Sequence, residues 1–169
     1  MTSNPPAVLT RPAVPDDLPA MTALQSRAFS PGRFTRTAYR VREGGPALSP
    51  FCRVALIGDR LVAALRMTPI MIGGDAGALL LGPLAVEPDE AGRGYGRRLV
   101  AESMEAATVA GVKLIVLVGD VPYYGRFGFR PVPPGQIRMP GPVDPARLLA
   151  AELQPGALAT VRGLVARAA

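Results

Sequence analysis

The stretch EPDEAGRGYGRRLVAES, residues 87–103, constrains this chain most, because it joins a glycine-rich loop to an amphipathic helix. Gly92, Gly94 and Gly96 alternate there with larger residues. Glycine adopts positive φ and lets another molecule approach the backbone closely. A helix N-terminus presents unpaired N–H groups and the positive end of the helix dipole. The stretch therefore predicts an anion-binding site at the start of a helix.

Three arginines strengthen this interpretation. Arg93, Arg97 and Arg98 lie where the helix dipole disfavours cations by about 0.3–1 kcal/mol each. Residues that oppose the local electrostatic preference of a helix often mark a functional site. A bound polyphosphate would make the three arginine charges favourable. The alternative, a flexible loop in an arginine-rich chain, stays open here. The net charge of +6 favours an anionic partner, which is nucleic acid, an acidic lipid surface or a phosphorylated cofactor.

The segments on either side predict the fold class. The apolar runs 78–86 and 112–118 flank the helix at the length of a parallel β-α-β crossover. Upstream, two apolar runs meet at Gly58-Asp59, a tight hairpin signal, and 73–77 is a second turn. We predict an α/β (α+β) fold, with a mixed, mostly antiparallel twisted sheet, a central β-α-β crossover and flanking helices.

The remaining patterns predict further elements of one domain over residues 7–169, behind a flexible tail at 1–6. Before the hairpin they indicate a strand at 7–13 and helices at 15–29 and 33–42. After the crossover they indicate a short helix at 122–129, a strand at 135–139, a helix at 144–153 capped by Asp144, and a strand at 157–165.

The composition excludes several classes of site. The chain has no histidine, which removes histidine triads and zinc-protease motifs, and we expect no metal. Cys52 is the single cysteine, so it forms no intramolecular disulfide, and we interpret it as a core residue. No run of apolar residues has the length of a signal peptide or a membrane span. We expect a soluble, cytoplasmic protein.

Two other phosphate-binding schemes fit less well. A dinucleotide fold needs Gly-x-Gly-x-x-Gly, but position 97 is arginine, although Asp120 lies near the distance at which an acid is expected. The antiparallel meander also does not suit a doubly wound parallel sheet. The nucleotide P-loop requires Gly-Lys-Ser/Thr, which is absent.

A family resemblance accounts for the pattern better. Residues 81–100, LGPLAVEPDEAGRGYGRRLV, resemble the pyrophosphate-binding motif Gln/Arg-x-x-Gly-x-Gly/Ala of the GNAT acetyltransferase superfamily. Residues 123–129, YYGRFGF, resemble its later signature. The resemblance covers 8–130 well and leaves 131–169 as a C-terminal extension. It implies one N-acetyltransferase domain that transfers the acetyl group of acetyl-CoA to a primary amine of a small molecule or a protein, by direct attack in a ternary complex.

The resemblance also implies how acetyl-CoA binds. In this family the cofactor lies in a V-shaped gap between the fourth and fifth strands. The implied cofactor-binding residues hold the pantetheine arm and cradle the pyrophosphate; they are Leu84, Ala85, Val86, Gly92, Arg93, Gly94, Tyr95, Gly96 and Arg97. Ala91 stands where the motif has glutamine or arginine, so we expect weaker cofactor binding, although the cradle is mainly backbone.

Tyr124 aligns with the tyrosine that relatives use as a general acid, either giving a proton to the thiolate or holding the sulfur by a hydrogen bond. Packing beside the cofactor is its alternative role. Tyr123 is expected in the core. No base is assigned, because Leu80 stands where relatives carry a glutamate. Glu87, Asp89, Asp120 and a water relay remain candidates.

Two other functions remain to be weighed. A non-catalytic acyl-CoA sensor would explain Ala91 and the missing strand carboxylate. Nucleic-acid binding has little support, because the chain shows no groove-reading motif and few aromatic residues. Arg33, Arg36 and Arg40 share a helix face, which we interpret as solvated rather than as an acceptor site. The amine acceptor stays unidentified, and a homodimer bordered by the proline-rich region 130–145 is one alternative for the oligomeric state.

Overall fold

Nine strands form a mixed sheet in the computed structural model, which describes residues 7–28 and 37–168. The strands are β1 (Val8–Pro12), β2 (Arg53–Ile57), β3 (Arg60–Ile72), β4 (Asp75–Val86), β5 (Leu114–Val118), β6 (Arg130–Pro131), β7 (Ile137–Arg138), β8 (Leu148–Glu152) and β9 (Gly163–Arg167). The helices are α1 (Leu18–Ala28), α2 (Thr37–Arg42), α3 (Tyr95–Val109) and α4 (Val121–Tyr124).

The sheet order is β1-β2-β3-β4-β5-β8-β6, and β9 pairs with the far end of β3. The first four strands form the predicted antiparallel meander, with its tight turn at Gly58-Asp59. The crossover through α3 then makes β5 parallel to β4, as predicted. The two-residue strand β7 adds a second, unpredicted parallel pair with β9.

The two faces of the sheet are covered by different helices. Side chains alternate between the faces of a strand. On β3, Leu65 and Met67 therefore pack with Leu99 and Val100 of α3 on one face. Ala64 packs with Met21 and Leu24 of α1 on the other. The amphipathic helix expected after the glycine-rich loop is α3, whose buried face contains Leu99, Val100, Ser103 and Ala107, while Met104 is only half-buried.

The predicted helix at 144–153 is wrong. Residues 145–147 form one 3-10 turn, in which the Asp144 side chain accepts a hydrogen bond from the N–H of Ala146 at 2.9 Å. The apolar residues that follow form β8, which pairs with β5 on one edge and with β6 on the other. A short apolar run has no clear periodicity, so the available sheet edge decides between helix and strand.

The other predicted elements change mainly in extent. The strand at 135–139 shrinks to β7, and the last strand begins at Gly163 after a 3-10 turn. The short helix predicted at 122–129 is α4, which begins at Val121 and ends at Tyr124, and a 3-10 turn over Gly125–Phe127 follows it. Of the helix predicted at 33–42, α2 covers Thr37–Arg42 and exposes Arg40. The tail at 1–6 lies outside the described residues, and so do Arg33 and Arg36.

The buried carboxylate of Asp17 makes the stability of the amino-terminal region depend on pH. It accepts hydrogen bonds from the Arg11 guanidinium at 2.7 and 2.9 Å and from the N–H of Val14 at 2.8 Å. The bond from Arg11 is the main reason that the pKa of Asp17 is lowered from 3.8. A lowered folded-state pKa stabilises the fold above the unfolded pKa, and this contribution is lost as the pH falls through the folded value.

We therefore expect Asp17→Asn to lower the free energy of unfolding by about 1–3 kcal/mol at pH 7. The difference from wild type should shrink as the pH falls below about 3.8. Urea unfolding of both proteins at pH 7 and at pH 2.5 measures this, with the exposed Asp16→Asn as the matched control. A difference that is the same at both pH values would show that the Asp17 charge contributes nothing.

Candidate functional site

The gap between β4 and β5 is the central feature of the site. The two strands pair only from Ala78 opposite Leu114 to Leu80 opposite Val116. Beyond that point β5 stays paired with β8 as far as Val118, and β4 stays paired with β3 as far as Val86, so the two strands separate from each other while each keeps its other neighbour. Its edge beyond Leu80 has no partner strand on the β5 side among the described residues. The result is a wedge that opens toward the start of α3.

A bulge in β4 lies where the strands separate. On β3, Leu65 and Met67 are two positions apart, whereas their partners Leu84 and Leu81 on β4 are three apart. The extra residue falls at Gly82-Pro83, where Gly82 has a φ of 123°, a conformation that favours glycine. Bulges bend a strand and are common beside active sites. This one turns β4 away from β5.

The gap opens into a cavity of 560 Å³. One wall comes from the ends of the two strands and includes Pro83, Leu84, Val118 and Gly119. Tyr124 lies beside that wall. The opposite wall comes from α1, the end of α2 and the loop 43–47. The cavity therefore connects the gap to the face of the sheet that α1 covers. It has room for a small molecule.

Tyr124 is held against the end of β5 by close packing. Its ring makes edge contacts with Tyr123 at 4.8 Å and Phe129 at 5.9 Å between ring centroids. A Cβ at Gly119 would lie only 2.6 Å from the Tyr124 ring, so glycine is required there. Burial raises the pKa of Tyr124 to about 12, and the neighbouring Tyr123 and Asp120 add to the shift. The phenol is therefore a protonated donor throughout the physiological pH range.

The start of α3 is an open glycine turn. Gly92 and Gly94 have φ values of 80° and 84°, and Gly94 is the N-cap of the helix. A Cβ on either glycine would meet nothing within 4 Å in the described chain. No side chain caps α3, and its first turn contains no acidic residue. The first N–H groups of α3 thus have no side-chain cap, which is compatible with the anion-binding site that the sequence predicts there.

Gly96 serves a different purpose from the other two glycines. A Cβ there would lie 3.1 Å from the Tyr123 hydroxyl, 3.3 Å from Val86 and 3.5 Å from Leu84. Gly96 is buried and lets α3 approach β4 closely. Tyr123, which we expected in the core, is half-buried with its hydroxyl at this contact.

The remaining predicted cofactor residues surround the gap. Leu84, Val86 and Tyr95 are half-buried and pack against the core on the α3 side, whereas Ala85 is buried on the α1 side. The backbone edge of β4 runs between these two sets of side chains. Ala91 is exposed ahead of the glycine turn.

The three arginines differ in their surroundings. Arg93 lies 3.3 Å from Glu90, and Arg98 lies 3.1 Å from Glu102. Arg97 is exposed and has no ion-pair partner within the described ranges. Of the three, Arg97 is therefore the one whose charge is uncompensated at the start of α3.

The candidate bases are mostly engaged elsewhere. Leu80 is fully buried in the core, so its position on β4 presents no group to the cavity. Glu87 forms an ion pair with Arg27, and Asp89 lies 2.9 Å from Arg60.

Asp120 is the one candidate base that lines the cavity. Its carboxylate lies 3.3 Å from the Arg147 guanidinium. The Asp120 backbone carbonyl also accepts hydrogen bonds from the N–H groups of Tyr123 and Tyr124 at the start of α4.

Sequence reasoning missed three polar residues that line the cavity, which are Gln25 on α1, Arg42 at the end of α2 and Arg66 on β3. Arg66 had a detectable signal, since it is the one charged residue inside the long apolar run 61–72. Gln25 and Arg42 had none, because only the tertiary structure brings them to the same cavity.

Residues 7–28 and 37–168 show neither a metal-binding cluster nor a membrane-spanning helix. They contain no cluster of three histidine, cysteine, aspartate or glutamate side chains able to hold a metal ion. No helix within them has the length and apolar character needed to cross a membrane.

Known proteins share this sequence pattern and architecture. A family model described as an acetyltransferase (GNAT) domain matches residues 10–132. The uncharacterized N-acetyltransferase YhbS of Escherichia coli (strain K12) is 28% identical over 163 residues, which cover 94% of this chain and 95% of YhbS. A crystal structure of E. coli YhbS in complex with CoA superimposes with a TM-score of 0.84 at 27% identity, covering 99% of this chain and 93% of that one.

A second crystal structure extends the likeness to another organism. It is a GNAT family acetyltransferase from Brucella melitensis in complex with acetyl-CoA. The match has a TM-score of 0.64 at 27% identity and covers 85% of this chain and 95% of that one.

Proposed function

Because this chain belongs to the GNAT family of acetyltransferases, we propose that it transfers the acetyl group of acetyl-CoA to a primary amine by direct attack in a ternary complex. One observation carries the proposal. The divergence of β4 from β5 leaves a gap whose strand ends line the cavity beside Tyr124, and β4 leads directly into the open glycine turn of α3. Similar proteins from E. coli and B. melitensis have been crystallised with CoA and acetyl-CoA.

The start of α3 fits the pyrophosphate. Gly92 and Gly94 leave open space where a side chain would stand, so phosphate oxygens can approach the backbone N–H groups. Gly96 and Tyr95 set the direction of the first turn by packing on β4. The exposed Arg97 adds a cation, and Arg93 can join it by leaving Glu90. The backbone provides most of the contacts, which is why Ala91 weakens the site without removing it.

The unpaired edge of β4 fits the pantetheine arm. Along Leu84, Ala85 and Val86, the backbone groups that face the gap lack strand partners in the described chain. Amide groups of an extended ligand would satisfy them as an added strand does. This contact would bring the thioester to the cavity, where Leu84 and Tyr124 both line the wall.

In the reaction the amine nitrogen forms a bond to the acetyl carbon, and the bond from that carbon to sulfur breaks. The nitrogen proton passes to water in the open cavity, and the sulfur leaves with the electron pair. Tyr124 donates a hydrogen bond to this sulfur. A cysteine thiol has a pKa of about 8.5, well below the value of about 12 for Tyr124. Hydrogen bonding to the thiolate is therefore favoured over complete proton transfer to it.

Direct attack predicts that the protein never becomes acetylated itself during turnover. We expect its intact mass to be unchanged after incubation with acetyl-CoA alone. CoA should be released only when an amine is added, and initial rates should follow a sequential pattern with N-acetylated product. Intact-mass measurement, a thiol-release assay and product mass spectrometry test this. An acetylated protein, with ping-pong kinetics, would contradict direct attack. Acetyl-CoA binding without turnover of any amine would instead support the sensor alternative.

A further inference from the structure

Arg66 occupies an unusual position for a charged residue. On β3 it lies between Leu65 and Met67, which pair with β4 on either side of the Gly82-Pro83 bulge. Its neighbours Ala64 and Thr68, which share its face of the strand, are buried. Arg66 therefore points to the α1 side of the sheet, at the level where β4 leaves β5. A group bound to Arg66 would lie close enough to the gap for one small molecule to reach both.

The contacts of Arg66 hold it in the cavity wall. Its Nε donates to the Gln25 side-chain oxygen at 3.2 Å, and another guanidinium nitrogen donates to the Ala47 carbonyl at 2.8 Å. Both are neutral acceptors. Arg66 lines the cavity and is partly buried, and burial lowers its pKa. The Arg66 guanidinium therefore lies beside the cavity without a carboxylate partner among the described residues.

Arg42 approaches the same region from the end of α2. Its guanidinium carbon lies 5.2 Å from the centroid of the Tyr39 ring, and its buried Nε has no hydrogen-bond partner in the described chain. Burial lowers the pKa of Arg42 to about 10, and the nearby charge of Arg66 adds to the shift. Two cations therefore repel each other in one partly closed cavity.

The surrounding charges do not compensate for these two arginines. No described carboxylate lies within ion-pair distance of Arg42 or Arg66. Residues 29–36, which precede α2, contain no aspartate or glutamate. Of the acidic residues lining the cavity, Glu43 is exposed and Asp120 pairs with Arg147. The amide nitrogen of Gln25, a residue only 7% exposed, also lacks a partner there. Burying an unpaired charge or an unpaired hydrogen-bond donor costs free energy, unless a ligand supplies the missing partner.

We propose that Arg42 and Arg66 bind an anionic group of the amine acceptor, so that the substrate is a small amine that also carries a carboxylate or phosphate. The inference rests on the proposed acetyltransferase function and adds the substrate class. Guanidinium groups bind both anions through paired hydrogen bonds, and the Gln25 amide supplies a further donor. An anion held at Arg66 leaves the amine of a short molecule free to reach the gap beside Tyr124.

A panel of matched amines tests the proposal. It contains short ω-amino carboxylates, the primary amide of each, and phosphoethanolamine with ethanolamine. We expect an anionic member to have the higher kcat/KM within its pair by about 10-fold or more. Arg42→Gln should lower that kcat/KM by about 10- to 100-fold, mainly through KM. The neutral partner and the KM for acetyl-CoA should change little. Which pair shows the effect distinguishes a carboxylate from a phosphate.

Two variants separate binding from structure. Arg42→Lys should recover part of the loss, because it keeps the charge but not the planar fork. Arg138→Gln, an exposed arginine on β7, should behave as wild type. Because Arg42 is a buried charge with no acidic partner, Arg42→Gln should not lower the melting temperature. A large drop in melting temperature would assign Arg42 a structural role and overturn the proposal.

A readout without turnover completes the test. The Nε–Hε signal of Arg42, assigned by its loss in Arg42→Gln, is followed by NMR while each panel member is titrated with and without CoA. Shifts caused by the anionic members alone support the proposal. Equal turnover of acids and amides, or an Arg42 signal that no member moves, overturns it while leaving the acetyltransferase function standing. Failure of acetyl-CoA itself to bind would instead show that the proposed function is wrong.

Discussion

Gly94→Trp is expected to lose acetyl-CoA binding by at least about 100-fold while keeping its fold. Any residue that replaces Gly94 at this N-cap must adopt a backbone φ of 84°, which costs an L-residue about 1–2 kcal/mol. A Cβ there meets nothing within 4 Å, so a side chain can leave the backbone into open space. The indole then fills the space above the first turn of α3. If the pyrophosphate binds there, the indole and the phosphates cannot be present together.

Calorimetric titration with acetyl-CoA measures the effect, with NADH and a free nucleotide as ligand controls. Gly94→Ala is the matched variant, because it has the same backbone strain but adds only a methyl group. It should bind within about 10-fold of wild type, and both variants should unfold at similar denaturant concentrations. Wild-type affinity in both the tryptophan and the alanine variant would place the pyrophosphate elsewhere. Loss of binding in both would point to the turn's conformation rather than its open space.

Tyr124→Phe is expected to lower kcat by about 100- to 1000-fold. The change removes one hydroxyl from a ring that Gly119 and Phe129 hold in place, so the packing is retained. The KM for acetyl-CoA should be nearly unchanged if the hydrogen bond to sulfur strengthens only as the thiolate forms. Steady-state kinetics of the two proteins, with one amine acceptor, measures both constants.

Tyr123→Phe is the matched control, because it removes the adjacent hydroxyl, which lies at Gly96 rather than in the cavity wall. Its kcat should stay within a few-fold of wild type. The pH profile gives a second test. The active form of Tyr124 is protonated, and a pKa of about 12 keeps it so, so wild type should show no loss of kcat from tyrosine ionisation between pH 7 and 10. A Tyr124→Phe variant with wild-type kcat would leave the residue only a packing role.

Several features followed from the sequence because their causes are local. The glycines of residues 92–96 specify a turn by their own backbone freedom, and Gly92 and Gly94 adopt the expected positive φ. The stripe at Leu99, Val100 and Ala107 specifies the buried face of α3 by its spacing. The turn at Gly58-Asp59 and the long apolar strands likewise specify the meander. The order of two motifs then sufficed to predict the family.

Other features depend on residues that are distant in the chain. The segment 148–152 becomes a strand rather than a helix, because β5 offers it a free edge. Gly96 is required by the approach of Val86 and Tyr123, which no local pattern encodes.

The site itself shows the same division. The sequence determined that a glycine turn with three nearby arginines begins α3, since both properties belong to neighbouring residues. Only the tertiary structure decided that β4 leaves β5 at Gly82-Pro83, that burial raises the pKa of Tyr124, and that Arg42 and Arg66 converge on one cavity. Strand divergence, desolvation and charge convergence are properties of packed surfaces, which come together only when the chain folds.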